Sequence, residues 1–75
     1  MKTFEIQLNS IDAIKFFVNA VAKYRFDIDL ISGRYIVDAK SIMGILSLDL
    51  SKPIKMEVHS DDCDDLEEAL KAFIV

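Results

Sequence analysis

Phe4, Ile6 and Leu8 alternate with Thr3, Glu5 and Gln7, and this period of two predicts a strand with one dry face. From Ala13 the period lengthens. Ile14, Phe17, Val18, Val21 and Ala22 fall on one side of a helix that runs to about Lys23 or Tyr24. Period two returns at Phe26, Ile28 and Leu30, and Tyr35, Val37 and Ala39 resume it beyond a two-residue turn at Ser32-Gly33. That turn predicts Leu30 opposite Tyr35, Ile28 opposite Val37 and Phe26 opposite Ala39, all on one face. It also sets Asp27 against Asp38, a like-charge cost that a longer turn would relieve.

Ser41 to about Leu48 reads as a short helix with Ile42, Ile45 and Leu46 apolar. Pro53 opens the next strand without costing a ladder bond, and there Ile54, Met56 and Val58 alternate with Lys55, Glu57 and His59. Leu66, Ala69, Leu70, Phe73 and Ile74 form the stripe of a last helix. The order is β-α-β-β-α-β-α. Every strand has one apolar face, so helices cover that face and leave the other wet. The expected fold is α+β: a two-layer open-faced sandwich with a four-stranded antiparallel sheet and three helices on one face. Residues 1–75 are expected to form a single domain, since a chain of this length holds one small core.

Composition narrows the classes. With 52% hydrophobic residues, two glycines and one proline, the chain is neither disordered nor low-complexity. The single cysteine, Cys63, excludes an internal disulfide framework and fits a reducing compartment. His59 is the only other soft ligand, so a Cys/His zinc module is excluded and no metal is expected. A net charge of −4 gives no basic footprint for nucleic acid. No apolar run suggests a signal peptide or approaches the roughly 20 residues of a membrane span, which points to a cytoplasmic protein without a membrane partner.

Candidate chemistry gathers at helix starts. In Asn9-Ser10-Ile11-Asp12-Ala13, Asp12 is a potential phosphoryl acceptor or metal ligand, but aspartate is also a preferred N-cap. With Asp12 as the cap, Ile11 and Phe16 take the two positions of a hydrophobic staple. Ser41 is a good cap for the second helix and a plausible phosphorylation site, where added negative charge meets the helix dipole. Met43 lies off the apolar stripe beside Gly44. Spacing alone favours gap-filling in the core for Met43, and a partner-binding surface is the alternative. Six of the eight residues from Asp61 to Glu68 are acidic, without EF-hand spacing, and read as the favourably charged first turns of a helix. His59 reads as an exposed strand residue and Cys63 as a passenger in a first turn. No phosphate loop, triad or cofactor motif is present, so no enzymatic chemistry and no cofactor are expected.

The run Lys40-Ser41-Ile42-Met43-Gly44-Ile45-Leu46-Ser47-Leu48 resembles the regulatory-serine segment of HPr, the histidine-containing phosphocarrier of the bacterial phosphoenolpyruvate:sugar phosphotransferase system. The likeness continues through Ser51 to Val58 and into the acidic stretch from Asp61 to Leu70, and the element order is also the family's. At the active-site turn it breaks. The family carries G-I-H-A-R-P, whereas this chain reads Ser10-Ile11-Asp12-Ala13-Ile14-Lys15, with Asp12 in place of the phosphorylated histidine, Ile14 of the arginine and Lys15 of the proline.

The resemblance therefore implies a variant without phosphotransfer: a non-catalytic regulatory or protein-interaction module. In the family, the serine matching Ser41 is phosphorylated by an HPr kinase. The residues matching Ile42, Met43 and Leu46 dock enzyme I, the kinase and a transcriptional regulator, so such proteins are the implied partners in catabolite regulation. Phe16 adds apolar surface near the turn. The alternatives are a phosphoryl carrier using Asp12 and a purely structural or assembly domain. A monomer and a weak homodimer both remain open.

Overall fold

The computed structural model describes residues 1–75. Its elements are β1 (Lys2–Ile6), α1 (Ile11–Val21), β2 (Ile28–Ser32), β3 (Tyr35–Asp38), α2 (Ile42–Leu46), β4 (Ile54–Val58) and α3 (Asp64–Ala69). The strands form one antiparallel sheet in the order β1-β4-β2-β3. This is the expected α+β fold. The last strand in sequence runs between the first two, paired with β1 along its whole length and with β2 from Lys55 to Val58.

The alternation read from the chain explains which face is dry. Ile54, Met56 and Val58 of β4 are buried, as are Ile6 of β1 and Ile28 and Leu30 of β2. The register places them in rows: Ile6 opposite Ile54, and Leu30 opposite Met56. Ile14, Phe17 and Val21 of α1, Ile45 of α2 and Leu66 of α3 close over these rows, making one cluster of 16 buried residues. No polar or charged side chain is buried. The opposite face carries the row Thr3, Glu57, Asp29 and Asp38.

Several boundaries differ from expectation. The hairpin turns at Gly33-Arg34, one residue later than Ser32-Gly33, so Leu30 faces Val37 and Ser32 faces Tyr35. Gly33 has φ +60° and no other residue has positive φ. A turn of the II′ kind needs its positive φ at the first central position, where glycine is free of the Cβ penalty. The later turn brings Asp29 rather than Asp27 opposite Asp38. That like-charge contact is met by His59, whose Nε2 lies 2.8 Å from Asp29 Oδ2.

The helices are shorter than their apolar stripes. α1 stops at Val21, and the Lys23 and Tyr24 amides bond three residues back to Ala20 and Val21, the tightened finish of a helix end. α2 ends at Leu46 rather than Leu48. α3 ends at Ala69, which is exposed. Beyond it Ile74 leaves the helical path and bridges Ile6 on the outer edge of β1. Cys63 is no passenger: it is 1% exposed within the core, and its side chain makes no cap bond to α3.

Candidate functional site

The Ser10 backbone is extended (φ −153°, ψ 160°), its hydroxyl accepts the Ala13 amide at 3.0 Å, and its carbonyl accepts the Ile14 amide at 3.1 Å. Ser10 is therefore the cap, and Asp12 lies exposed in the first turn. Asp12 there complements the positive end of the helix dipole without capping it. The staple fails with it. Ile11 is exposed, and Phe16, also exposed, sets its ring 5.9 Å from that of Phe73. Ile14, which the motif comparison set against the family's arginine, is fully enclosed in the core.

At α2 the expectation holds. Ser41 is the cap, and its hydroxyl accepts the Gly44 amide at 3.2 Å. Met43 is 74% exposed and Leu46 46%, so Met43 does not fill the core. Ile42 is half-buried and packs against the core cluster, while Ile45 is buried. Apolar residues so exposed on one short helix form a surface open to contact.

Two features of this region escaped the sequence. A Cβ on Gly44 would stand 3.1 Å from Val37 Cβ, so glycine lets α2 lie directly on β3. Lys40 donates from Nζ to the carbonyls of Tyr24 (2.7 Å) and Phe26 (3.1 Å), pinning the segment between α1 and β2. The signal for the first was a glycine inside a helical pattern, which often marks a close approach. For the second there was no signal, because a lysine's carbonyl partners are not written in its neighbours.

The strand register sets the start of α1 at the far end of the sheet from the histidine, whereas α2 starts beyond Asp38, at the histidine's end. Ile6 and Ile54 lie at the end of the sheet where α1 begins, and the Gln7 side chain reaches the Leu50 carbonyl there at 3.2 Å. His59 follows Val58 at the other end, about 16 Å along the strand at 3.3 Å per residue. It borders an open cleft of about 300 Å³ lined by Asp27, Ile28, Asp29, Asp38 and His59. At the start of α3, Asp64, 3.5 Å from Lys2 Nζ, holds that ammonium above its usual pKa through its charge and hydrogen bond.

An open-faced sandwich with its polar chemistry on the surface, at capped helix starts beside exposed apolar side chains, has the build of a small carrier or docking protein. Comparison with known proteins agrees. Residues 11–74 match the model of the family described as the PTS HPr component phosphorylation site. The crystal structure of HPr-C-His from Thermoanaerobacter tengcongensis is similar at a TM-score of 0.76 and 32% identity, over 96% of this chain and 89% of that one. A phosphocarrier protein HPr from Bacillus anthracis str. Ames is similar at a TM-score of 0.72 and 27% identity, over 99% and 94%. No curated protein sequence matches the chain significantly. The chain belongs to the HPr family of the phosphotransferase system. Its members are phosphocarriers rather than catalytic enzymes and work through contacts with other proteins of that system.

Proposed function

We propose that this chain is a regulatory, protein-binding member of the HPr family that does not carry phosphoryl groups, with Ser41 as its phosphorylation switch. One observation supports this above the others. The chain's single histidine, His59, follows β4, while the first turn of α1 is Ile11-Asp12-Ala13 and contains no imidazole. A carrier needs a nitrogen that accepts a phosphoryl group and releases it readily; a carboxylate without a cationic partner is a poor substitute. Ile14, enclosed in the core, supplies no such partner.

Phosphorylation of Ser41 adds a charge of about −1.5 to −2 at a helix start. The first turn of α2 has no acidic residue, so nothing there opposes it. Lys40, the adjacent cation, is committed to two backbone carbonyls and leaves the new charge displayed beside Ile42 and Met43. The docking face formed by Ile42, Met43 and Leu46, extended by Phe16, changes from apolar to anionic at one end. Its partners, by family analogy, are an HPr kinase, enzyme I or a transcriptional regulator of the cytoplasm.

Intact mass after incubation with host-cell extract tests the reading, with ATP and phosphoenolpyruvate supplied separately. A phosphoryl gain with ATP alone, absent in Ser41→Ala, is expected. A gain with phosphoenolpyruvate that disappears in Asp12→Ala would establish the carrier instead. No gain with either would leave a domain kept for binding or assembly alone. Met43→Asp should weaken partner binding while leaving the fold intact, because the side chain already faces water.

A further inference from the structure

The two edges of the sheet are finished differently. At β1 the end of the chain closes the edge: the Val75 amide donates to the Glu5 carbonyl at 2.9 Å and the Gln7 amide to the Phe73 carbonyl at 2.8 Å. At β3 no segment lies alongside. The direction of its free groups follows from the hairpin. The Ala39 amide donates to the Ile28 carbonyl at 2.9 Å, so by alternation Val37 and Tyr35 also turn their backbone groups toward β2, and Ile36 turns both of its own outward. Asp38 faces outward too, and its carbonyl accepts the Ser41 amide at 2.9 Å. Tyr35 and Ile36 are 68% and 66% exposed, and Arg34 forms no ion pair within the chain.

We propose that β3 pairs edge to edge with β3 of a second copy of this chain, antiparallel about a two-fold axis at Ile36. The inference goes beyond the regulatory function above and does not rest on it. In this register Ile36 exchanges both ladder bonds with Ile36 of the second copy, and Tyr35 lies opposite Val37. Arg34 lies opposite Asp38 on each side of the axis, so each cross-strand pair joins opposite charges. Ile31, which faces Ile36 within the chain, extends the seam into one apolar row across both open faces. Other registers lose this fit. Centring on Val37 sets Arg34 against Lys40, centring on Asp38 sets like charges together, and centring on Tyr35 leaves both charges unpaired.

A bare edge is a template for another strand, and a two-fold contact requires a patch complementary to itself, as this one is. A strand of four residues falls well short of the roughly 20–30 residues a side of a standard interface, so the dimer is a weak, concentration-dependent one. Each copy carries a net charge of −4, which opposes association until salt screens it, at about 8 Å for 0.15 M.

Sedimentation velocity near 0.15 M salt, from about 10 μM to about 1 mM protein, tests the pairing. The expected result is a monomer–dimer equilibrium with dimer populated at the upper end. Arg34→Asp and Asp38→Arg should each weaken association at least tenfold, and an equimolar mixture of the two variants should restore it, because every pair across the seam is again one acid and one base. Ile36→Pro removes an amide that β2 does not use, so it should abolish the dimer while circular dichroism stays native. A wild-type chain that stays monomeric throughout overturns the proposal. So does undiminished association in both charge variants, or a mixture that fails to recover.

Discussion

At the start of α1 the Ser10 hydroxyl accepts the Ala13 amide at 3.0 Å, and at the start of α2 the Ser41 hydroxyl accepts the Gly44 amide at 3.2 Å. The caps are nearly the same, but what stands behind them is not. α1 has eleven residues, three of them buried, and an aspartate already facing its dipole. α2 has five residues, one of them buried, no acid in its first turn, and a glycine that seats it on β3. The first helix is a structural wall with its charge complement in place. The second is a shallow surface element whose positive end is still open to an added anion. That difference is the physical reason for proposing Ser41, rather than the turn that carries Asp12, as the switch.

The comparison can be broken most directly in the core. Phe17→Ala should lower global stability by about 3–5 kcal/mol, a large part of the whole for a chain of this size. Ile45→Ala, about 2–5 kcal/mol by the same reasoning, should also raise hydrogen exchange across 42–46 before the sheet opens. Chemical denaturation with residue-resolved exchange checks both. If Ile45→Ala loosened α1 and the sheet as much as α2, the contrast in anchoring would be wrong.

The caps come next. Ser10→Ala and Ser41→Ala should each cost about 1 kcal/mol in urea unfolding. Their aspartate replacements sharpen the contrast: Ser41→Asp should be neutral or slightly stabilising, while Ser10→Asp, two residues from Asp12, gains less. The smallest effect concerns the exit from α2, which is held by local bonds. Asp49 accepts from the Ser51 hydroxyl at 2.5 Å and from the Ser51 amide at 3.1 Å, and the hydroxyl bond chiefly holds its carboxyl below the usual 3.8. A carboxyl lowered on folding contributes stability that is full above its unfolded pKa and is lost as pH falls through the folded one. An NMR titration should therefore place the Asp49 midpoint below 3.8 and return it toward that value in Ser51→Ala.

The resemblance to the HPr family was readable around Ser41, where a contiguous run of residues carries it, and the structure keeps that run as a unit with Ser41 as the cap. The first helix start was less readable. Ser10 and Asp12 are both cap-forming residues, and a short motif match favoured Asp12. The choice depended on where the chain bends out of β1, and that bend left Ser10 extended and turned Ile14 inward. Met43 resisted sequence reasoning for a related reason. On a helix of five residues, periodicity does not separate a core stripe from a surface one.

Alternation and helical period were enough to order the seven elements and to say that Ile54, Met56 and Val58 face one way, because those patterns depend on each residue's own side of its backbone. They do not say which strand lies beside which. Sliding the hairpin turn by one residue keeps every apolar side chain on the same face and changes only its partners, so Leu30 opposite Tyr35 and Leu30 opposite Val37 look alike along the chain. Packing and the positive φ of Gly33 resolved that pairing. The same holds for β4 between β1 and β2, for the burial of Cys63 and for the closure of the β1 edge by Ile74. Each depends on contacts between residues far apart in the chain, which local pattern does not encode.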